Sequence, residues 1–198
     1  MDQRYPNIKA VIILSASYFV LFLAFFSSAN SSAKALRDSG FNNMGFYSLA
    51  MLYMNFGLSS LWTPRVVKAL HPKKTMVIAS IFYSLWIVSL ALTTAALKTP
   101  SIRENLSYNT ICFIVLSVSF VSGAGCSLLW IAQGKYLSDC AEQNLSMKGF
   151  YSSLFWTTIF VSQVISSFLN AYVLGKYQQQ AYLFLIALVI SIISTFML

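Results

Sequence analysis

Uncharged polar and aromatic residues at helical spacing are the side chains of this sequence best placed to do chemistry. Trp130 and Gln133 lie three residues apart in the stretch LLWIAQGKYLSD, and Gly134 follows directly. In a helix these three positions share one face. An indole and an amide there can contact a solute, and the glycine would let a neighbouring helix approach the amide closely. The same residues also fit the end of a membrane helix, because tryptophan favours the interface.

Two other apolar segments carry a polar stripe. Asn55 lies near the middle of one, with serines on the same helical face. In the other, Trp156, Gln163 and Asn170 follow at seven-residue intervals, so we expect their common face to point into the bundle. Such groups either hydrogen-bond to neighbouring helices or line a solute pathway, and both interpretations stay open. The candidate pathway or packing residues are therefore Asn55, Trp130, Gln133, Gln163 and Asn170.

Small residues also recur at helical spacing. Ser119, Gly123 and Ser127 lie four residues apart and form one ridge along an apolar segment. Small side chains let two helix backbones approach closely in a membrane. We expect this ridge to serve helix packing, with a role in solute binding as the alternative.

Catalytic or metal chemistry is not predicted. The only histidine, His71, lies in a basic segment between two apolar runs, and no acidic residue lies inside such a run. A Ser–His dyad or a pair of catalytic aspartates within the membrane therefore has no residues to form it. The three cysteines are far apart in apolar surroundings and lack the spacing of a zinc site. We expect no enzyme activity, no cofactor and no bound metal.

The composition requires a membrane environment. Of the 198 residues, 58% are hydrophobic and 9% are charged, whereas about 25% are charged in a soluble domain. Six apolar runs approach the length of about 20 residues that a spanning helix needs. Their approximate limits are 9–29, 45–64, 75–97, 108–134, 149–174 and 181–198. The sequence therefore predicts an all-α, polytopic membrane protein in which residues 1–198 form one six-helix bundle.

The net charge of +8 is better explained by membrane topology than by nucleic-acid binding, because the basic residues are spread over short loops. Most of them fall on one side if the chain crosses six times, and the positive-inside rule makes that side cytoplasmic. We therefore expect both termini in the cytoplasm. The candidate cytoplasmic loop carries Arg65, Lys68, Lys73 and Lys74, which can also attract anionic lipid.

Two Asn-x-Ser sequons fall on the opposite side of the predicted membrane. They begin at Asn30 and Asn105. Both are candidate glycosylation sites, because the outer side is where such sequons are modified.

Three segments resemble the Unc-ninety-three-like family of the major facilitator superfamily. TPRVVKALHPKKTMVIAS, residues 63–80, is similar to the family's segment between the second and third helices, with His71 in place of the usual glycine. LLWIAQGKYLSD, residues 128–139, resembles the family's LWTAQG-x-YLT pattern, and KGFYSSLFW follows at 148–156. A weaker similarity covers GFYSLAMLYMNFGLSSL, residues 45–61.

This resemblance implies the N-terminal half of a transporter fold, since complete relatives have twelve helices in two six-helix halves. It implies transmembrane transport of a small solute or ion by rocking of the two halves. It also leaves a non-transporting role, as a regulator or chaperone of a partner channel or receptor, or an inactive truncated half. The expected partners are the lipid bilayer and either a second six-helix half or another membrane protein, but not nucleic acid.

Overall fold

The computed structural model describes residues 7–96, 107–177 and 180–198, and every regular element in these ranges is helical. The α-helices are α1 Ile8–Leu36, α2 Met44–Ser59, α3 Thr63–Leu70, α4 Pro72–Ala96, α5 Tyr108–Cys140, α6 Lys148–Tyr177 and α7 Gln180–Met197. A π-helical turn, Arg37–Phe41, extends α1, and a 3-10 turn, Leu145–Met147, precedes α6. The prediction of an all-α protein is confirmed.

Four stretches are long and apolar enough to cross a membrane: Ile8–Phe41, Pro72–Thr94, Tyr108–Cys140 and Leu145–Gly175. The α2 helix, with 16 residues, and the apolar part of α7, Ala181–Met197, are shorter. Helices suit a bilayer because they satisfy their own backbone hydrogen bonds. The structure thus supports several membrane-crossing helices, whereas a total of six crossings stays a prediction.

The basic segment is helical and not the loop that the sequence predicted. The run predicted at 45–64 ends early, because α2 stops at Ser59 and the chain turns before α3. Pro64 favours a new helix start, since the first turn does not need its missing N–H. The four basic residues of the predicted loop therefore lie on helices: Arg65 and Lys68 in α3, and Lys73 and Lys74 in the first turn of α4.

The first helix is longer than the run predicted at 9–29, since α1 continues to Leu36. Asn30 therefore lies inside a helix, whereas N-glycans are attached at surface loops. This position argues against Asn30 as a glycosylation site. The other sequon, at Asn105, lies outside the described residues.

Each long helix packs on two or more neighbours. The most extensive packing joins successive helices in the spatial order α6, α1, α7, α4, α5, α2. The α1 helix also touches α2 and α4. In the described helices, α2 and α6 are not among the packed pairs. The bundle is therefore closed on the side of α7 and α4 and open between α2 and α6.

Hydroxyl groups join α4 to α7. The Ser84 and Ser191 hydroxyl oxygens are 2.7 Å apart, and the Ser80 hydroxyl donates to Thr195 Oγ1 at 3.0 Å. The same side chains bond to carbonyls of their own helices, such as Ser80 to Val77 at 2.8 Å. We call these four hydroxyl residues the hydroxyl seam.

The start of α1 and the end of the chain lie at the same end of the bundle. The Asn7 amide donates to the Cys140 carbonyl at 3.2 Å, and Ala10 and Leu198 line one small cavity. This end also carries most of the exposed basic residues, and we call it the basic end: Lys9, Arg65, Lys68, Lys73, Lys74, Lys135 and Lys148. The chain ends on the side where its described part begins, as an even number of crossings requires.

Candidate functional site

The ridge of small residues on α5 packs against α2 and α3. A Cβ atom at Gly123 would overlap the Leu52 carbonyl, so the glycine is what lets the two backbones meet. At one end of the ridge Ser119 meets a serine of α2, and at the other Ser127 donates to Thr63 Oγ1 at 2.9 Å. The packing interpretation of this ridge is confirmed by these contacts.

Ser48 is the centre of a buried hydrogen-bond network. Its hydroxyl oxygen lies 2.7 Å from Ser119 Oγ and accepts a hydrogen bond from the Trp86 indole at 3.2 Å. Ser48 and Trp86 are fully buried. Three helices, α2, α4 and α5, therefore meet through one hydroxyl group.

The side-chain amide of Asn55 forms hydrogen bonds inside the bundle. Its Nδ2 donates to the Phe120 carbonyl at 2.6 Å, and its Oδ1 accepts from the Ser59 hydroxyl at 3.1 Å. The side chain is 8% exposed. Because both ends of the amide bond to α2 or α5, this geometry favours the packing interpretation over the pathway interpretation.

The three regularly spaced residues of α6 do not share one environment. Asn170 is buried, and its Nδ2 donates to the Ser27 carbonyl of α1 at 3.0 Å. Trp156 is 44% exposed and Gln163 is also exposed. The buried face of α6 instead includes Phe155, Ile159 and neighbours at helical spacing. The expectation that the whole stripe points into this bundle is therefore wrong, because the buried face follows positions 155, 159, 162, 166 and 170 and shares only Asn170 with the seven-residue spacing.

Trp130 and Gln133 lie on α5, as predicted, but Gly134 does not bring a neighbour close. Gln133 is 6% exposed, whereas Gly134 is exposed and a Cβ atom there would meet nothing within 4 Å. The close approaches occur at other glycines. At Gly125 a Cβ atom would overlap the Phe82 side chain. The close approach expected at Gly134 is therefore absent, and α5 makes its close approaches at Gly123 and Gly125 instead.

An aromatic cavity of about 330 Å³ lies at the open side of the bundle. Eight of its ten lining residues are aromatic: Phe22, Phe25 and Phe26 from α1, Tyr53 and Phe56 from α2, Tyr83 from α4, Trp130 from α5 and Trp156 from α6. Leu52 and Cys126 complete the lining. None of these residues is charged.

The cavity wall is a connected set of ring contacts. The ring of Phe22 lies 5.1 Å from that of Trp130 and 5.8 Å from that of Tyr83, measured between centroids. Trp130 stacks on Trp156 with centroids 5.2 Å apart and planes 11° from parallel. Each such pair contributes about 0.5–1.5 kcal/mol beyond its buried area. These contacts hold the wall in place without any ligand.

Few polar groups face the aromatic cavity. The polar groups of the lining side chains are the hydroxyls of Tyr53 and Tyr83, the thiol of Cys126 and the indole N–H groups of Trp130 and Trp156. Tyr53 lies at the rim on α2 and is 54% exposed, opposite the half-exposed Trp156 on α6. The site can therefore make ring contacts with a small molecule and only a few hydrogen bonds.

The sequence predicted only part of this cavity. Of the five candidate residues, Trp130 alone lines it. The signal that could have found the rest is the spacing of Phe22, Phe25 and Phe26, which places three rings on one side of α1. Apolar rings in a membrane helix are common, so this pattern stands out only when the facing aromatic residues of the other helices are known.

Comparison with known proteins gives the chain a family. The model of the family described as ion channel regulatory protein UNC-93 matches residues 38–198. UNC93-like protein MFSD11 of Xenopus laevis is 25% identical over 170 residues, covering 84% of this chain and 34% of that protein. UNC93-like protein 3 of Arabidopsis thaliana is 25% identical over 170 residues, covering 82% of this chain and 32% of that protein.

The matched relatives are longer than this chain. The chain spans about a third of the length of the relatives it matches. No solved structure matches it. Because the family model covers most of the chain and includes α2 to α7, this multipass membrane protein belongs to the UNC-93 family.

Proposed function

We propose that this chain forms one half of a transporter and that the aromatic cavity is part of its pathway for a small solute. The observation that carries the proposal is the position of the cavity, which is lined by five helices and opens where α2 and α6 leave the bundle unclosed. Transporter sites lie between two halves that rock about them. A cavity at the open side of one half is where such a site is expected.

The exposed face of α6 supports a protein neighbour on that side. Gln163 is exposed on this helix, next to an open cavity rim. An amide that faces lipid has no hydrogen-bond partner there, which costs free energy. We therefore place a second six-helix half, or another membrane protein, against α2 and α6. The matched relatives are about two and a half times as long as this chain and have room for such a half.

The test is a comparison of solute content in sealed vesicles from cells that express the chain. Wild type, Trp130→Leu and Trp62→Leu are compared with empty vesicles by untargeted mass spectrometry. Trp62 is 44% exposed and lies outside the cavity and outside α2 and α6, so it is the matched control. We expect at least one solute whose level in vesicles with wild type or with the control variant differs from that in empty vesicles. In vesicles with Trp130→Leu, its level should match that in empty vesicles. Identical solute content in all four samples would contradict transport.

A non-transporting regulator or chaperone of a membrane protein is the second candidate. Two observations favour it: no charged residue lines the cavity, and the exposed face of α6 needs a protein neighbour. The matched family is itself described as an ion channel regulatory protein. Co-purification in mild detergent tests this candidate. A stoichiometric membrane protein that is lost in Gln163→Leu, together with unchanged solute content, would decide for regulation.

We further propose that the basic end faces the cytoplasm and that the chain crosses the membrane six times. Seven exposed lysine and arginine residues lie at this end, and the positive-inside rule assigns such an end to the cytoplasm. Both termini would then be cytoplasmic. No enzyme activity is proposed, because the aromatic cavity offers neither a nucleophile paired with a base nor a charged group.

A further inference from the structure

We propose that the aromatic cavity binds a small organic cation of the quaternary ammonium class. This inference rests on the proposed function, because it names the kind of solute that the pathway would accept. It follows from the chemistry of the lining, the size of the space and the distance to the nearest fixed charges.

The lining attracts cations through its ring faces. An aromatic ring is negative on its face, so a cation placed over several rings is attracted to each of them. The ring centroid of Phe22 lies 5.1 Å from that of Trp130, 5.8 Å from that of Tyr83 and 5.4 Å from that of Phe26, so several rings are clustered around the cavity. Quaternary ammonium groups are the ligands that such aromatic cages recognise best.

Other classes of solute fit the lining poorly. An anion would need a positive charge to offset the loss of its hydration, and the lining offers no basic residue, only the neutral indole N–H groups of Trp130 and Trp156 as N–H donors. A sugar would need several hydrogen-bond partners for its hydroxyl groups, and no acidic, amide, serine or threonine side chain lines the cavity. Inorganic cations such as Mg²⁺ and Ca²⁺ require several oxygen ligands, and the described residues contain no cluster of metal-binding side chains. A weakly hydrated organic cation needs none of these.

The size of the cavity limits the ligand to a small molecule. Its volume of about 330 Å³ is at the lower end of the range of about 300–1,000 Å³ for small-molecule sites. The rim residues Tyr53 and Trp156 add two rings where a ligand would enter. A compact trimethylammonium head with a short substituent matches this space.

The positive charge closest to the aromatic cavity along a lining helix is paired with a carboxylate. Lys135 follows Trp130 by five positions on α5, which at about 1.5 Å per residue separates them by about 8 Å along the axis, and its ammonium is paired with Asp139. At physiological salt, charges at a water-exposed surface are screened over about 8 Å. Repulsion from the basic end is therefore weak at the cavity.

Binding of tritium-labelled choline to the chain in lipid nanodiscs tests the inference. The competitor is the neutral isostere of choline in which carbon replaces the nitrogen, since it has the same shape without the charge. We expect saturable choline binding and an affinity for the isostere that is lower by about tenfold or more. Trp130→Leu should weaken choline binding by about tenfold, and Phe26→Leu provides a second cavity variant if Trp130→Leu does not fold. Trp62→Leu, which makes the same change at an exposed position outside the cavity, should have no effect.

The outcomes separate this inference from the proposed function. Equal affinity for choline and its isostere, absence of choline binding, or an equal loss in Trp62→Leu would each overturn the cation assignment. If the vesicle solute content still depends on Trp130, the pathway proposal survives that result. If choline binds at the cavity but no solute level depends on Trp130, the cation site stands and the transport proposal fails.

Discussion

At the scale of single residues, the polar groups of this bundle act mainly between helices. Asn55 and Asn170 each donate to a backbone carbonyl of a neighbouring helix, at 2.6 and 3.0 Å. Ser48 connects three helices through one hydroxyl. In a membrane such bonds contribute about 0.6 kcal/mol on average, but a buried donor left without a partner costs more. The stability lost on substituting each residue therefore depends on whether a buried hydrogen-bonding partner is left unpaired.

Ser48→Ala is expected to destabilise the bundle by about 1–2 kcal/mol. The substitution leaves the Trp86 indole N–H buried without its acceptor and removes the bond to Ser119. The measurement is the free energy of unfolding by SDS titration in mixed micelles. Ser60→Ala is the control, because Ser60 is exposed and bonds only to the carbonyl of Gly57. A loss no larger than that of the control would contradict the network.

Gly123→Ala and Gly134→Ala are expected to change stability in opposite directions. A methyl group at Gly123 would overlap the Leu52 carbonyl and push α2 away from α5, at a cost of about 1–3 kcal/mol. At Gly134 it meets nothing within 4 Å and only favours the helix, by up to about 1 kcal/mol. Thermal unfolding in detergent measures both variants. Equal effects would show that α2 and α5 do not depend on close approach at Gly123.

At the scale of elements, α3 is the helix that the sequence did not predict. Its buried side is Thr63 and Val67, and its exposed side carries Arg65 and Lys68. The chain before it exposes Leu61 at 82%. Short helices with this division of apolar and basic residues lie in the membrane interface. We interpret α3 as an interfacial helix that contacts lipid headgroups at the basic end.

The double variant Arg65→Gln with Lys68→Gln is expected to retain less anionic lipid than wild type. Each basic residue near a membrane surface contributes about 1 kcal/mol to the attraction of anionic lipid, or about fivefold in binding. Mass spectrometry of lipids that remain after detergent washing measures the phosphatidylserine bound per protein. The matched control, Lys34→Gln with Arg37→Gln, removes two exposed charges near the other end of α1. The same loss in both pairs would argue against a specific role of α3.

Long apolar helices could be predicted from the sequence, but their ends and contacts could not. Hydrophobicity located every long helix, since a run of apolar residues has no other stable form in lipid. It missed the break after Ser59, because the α3 segment is too short and too polar to appear as a separate apolar run. The orientation of α6 was wrong for a similar reason. A seven-residue interval defines one face but does not say which neighbour covers it.

At the scale of the whole molecule, the bundle has two unlike ends and one open side. The basic end gathers the exposed lysines and arginines of α3 and the starts of α1, α4 and α6. The open side, between α2 and α6, exposes the aromatic cavity and Gln163. In the proposed arrangement, the basic end faces the cytoplasm and the open side contacts the second six-helix half or another membrane protein.

Cysteine labelling in intact cells is expected to place the basic end inside. Lys74→Cys lies exposed at the basic end, and Asn42→Cys lies exposed between α1 and α2 at the other end. A membrane-impermeant maleimide should label Asn42→Cys in intact cells and Lys74→Cys only after permeabilisation. The unsubstituted chain, whose Cys126 and Cys140 are buried, gives the background. The reverse pattern would contradict the proposed orientation.

The hydroxyl seam between α4 and α7 has a consequence for motion. Ser84 and Ser80 each have two partners, one across the seam and one a carbonyl of their own helix. Ser80, Ser84 and Thr195 each keep a bond to a carbonyl of their own helix when the bond across the seam is lost. Interdigitated aliphatic side chains would clash in the same displacement, because they are closely packed. We therefore expect a small shift of α7 along α4 to cost less free energy at the hydroxyl seam than at an interface of interlocked aliphatic side chains.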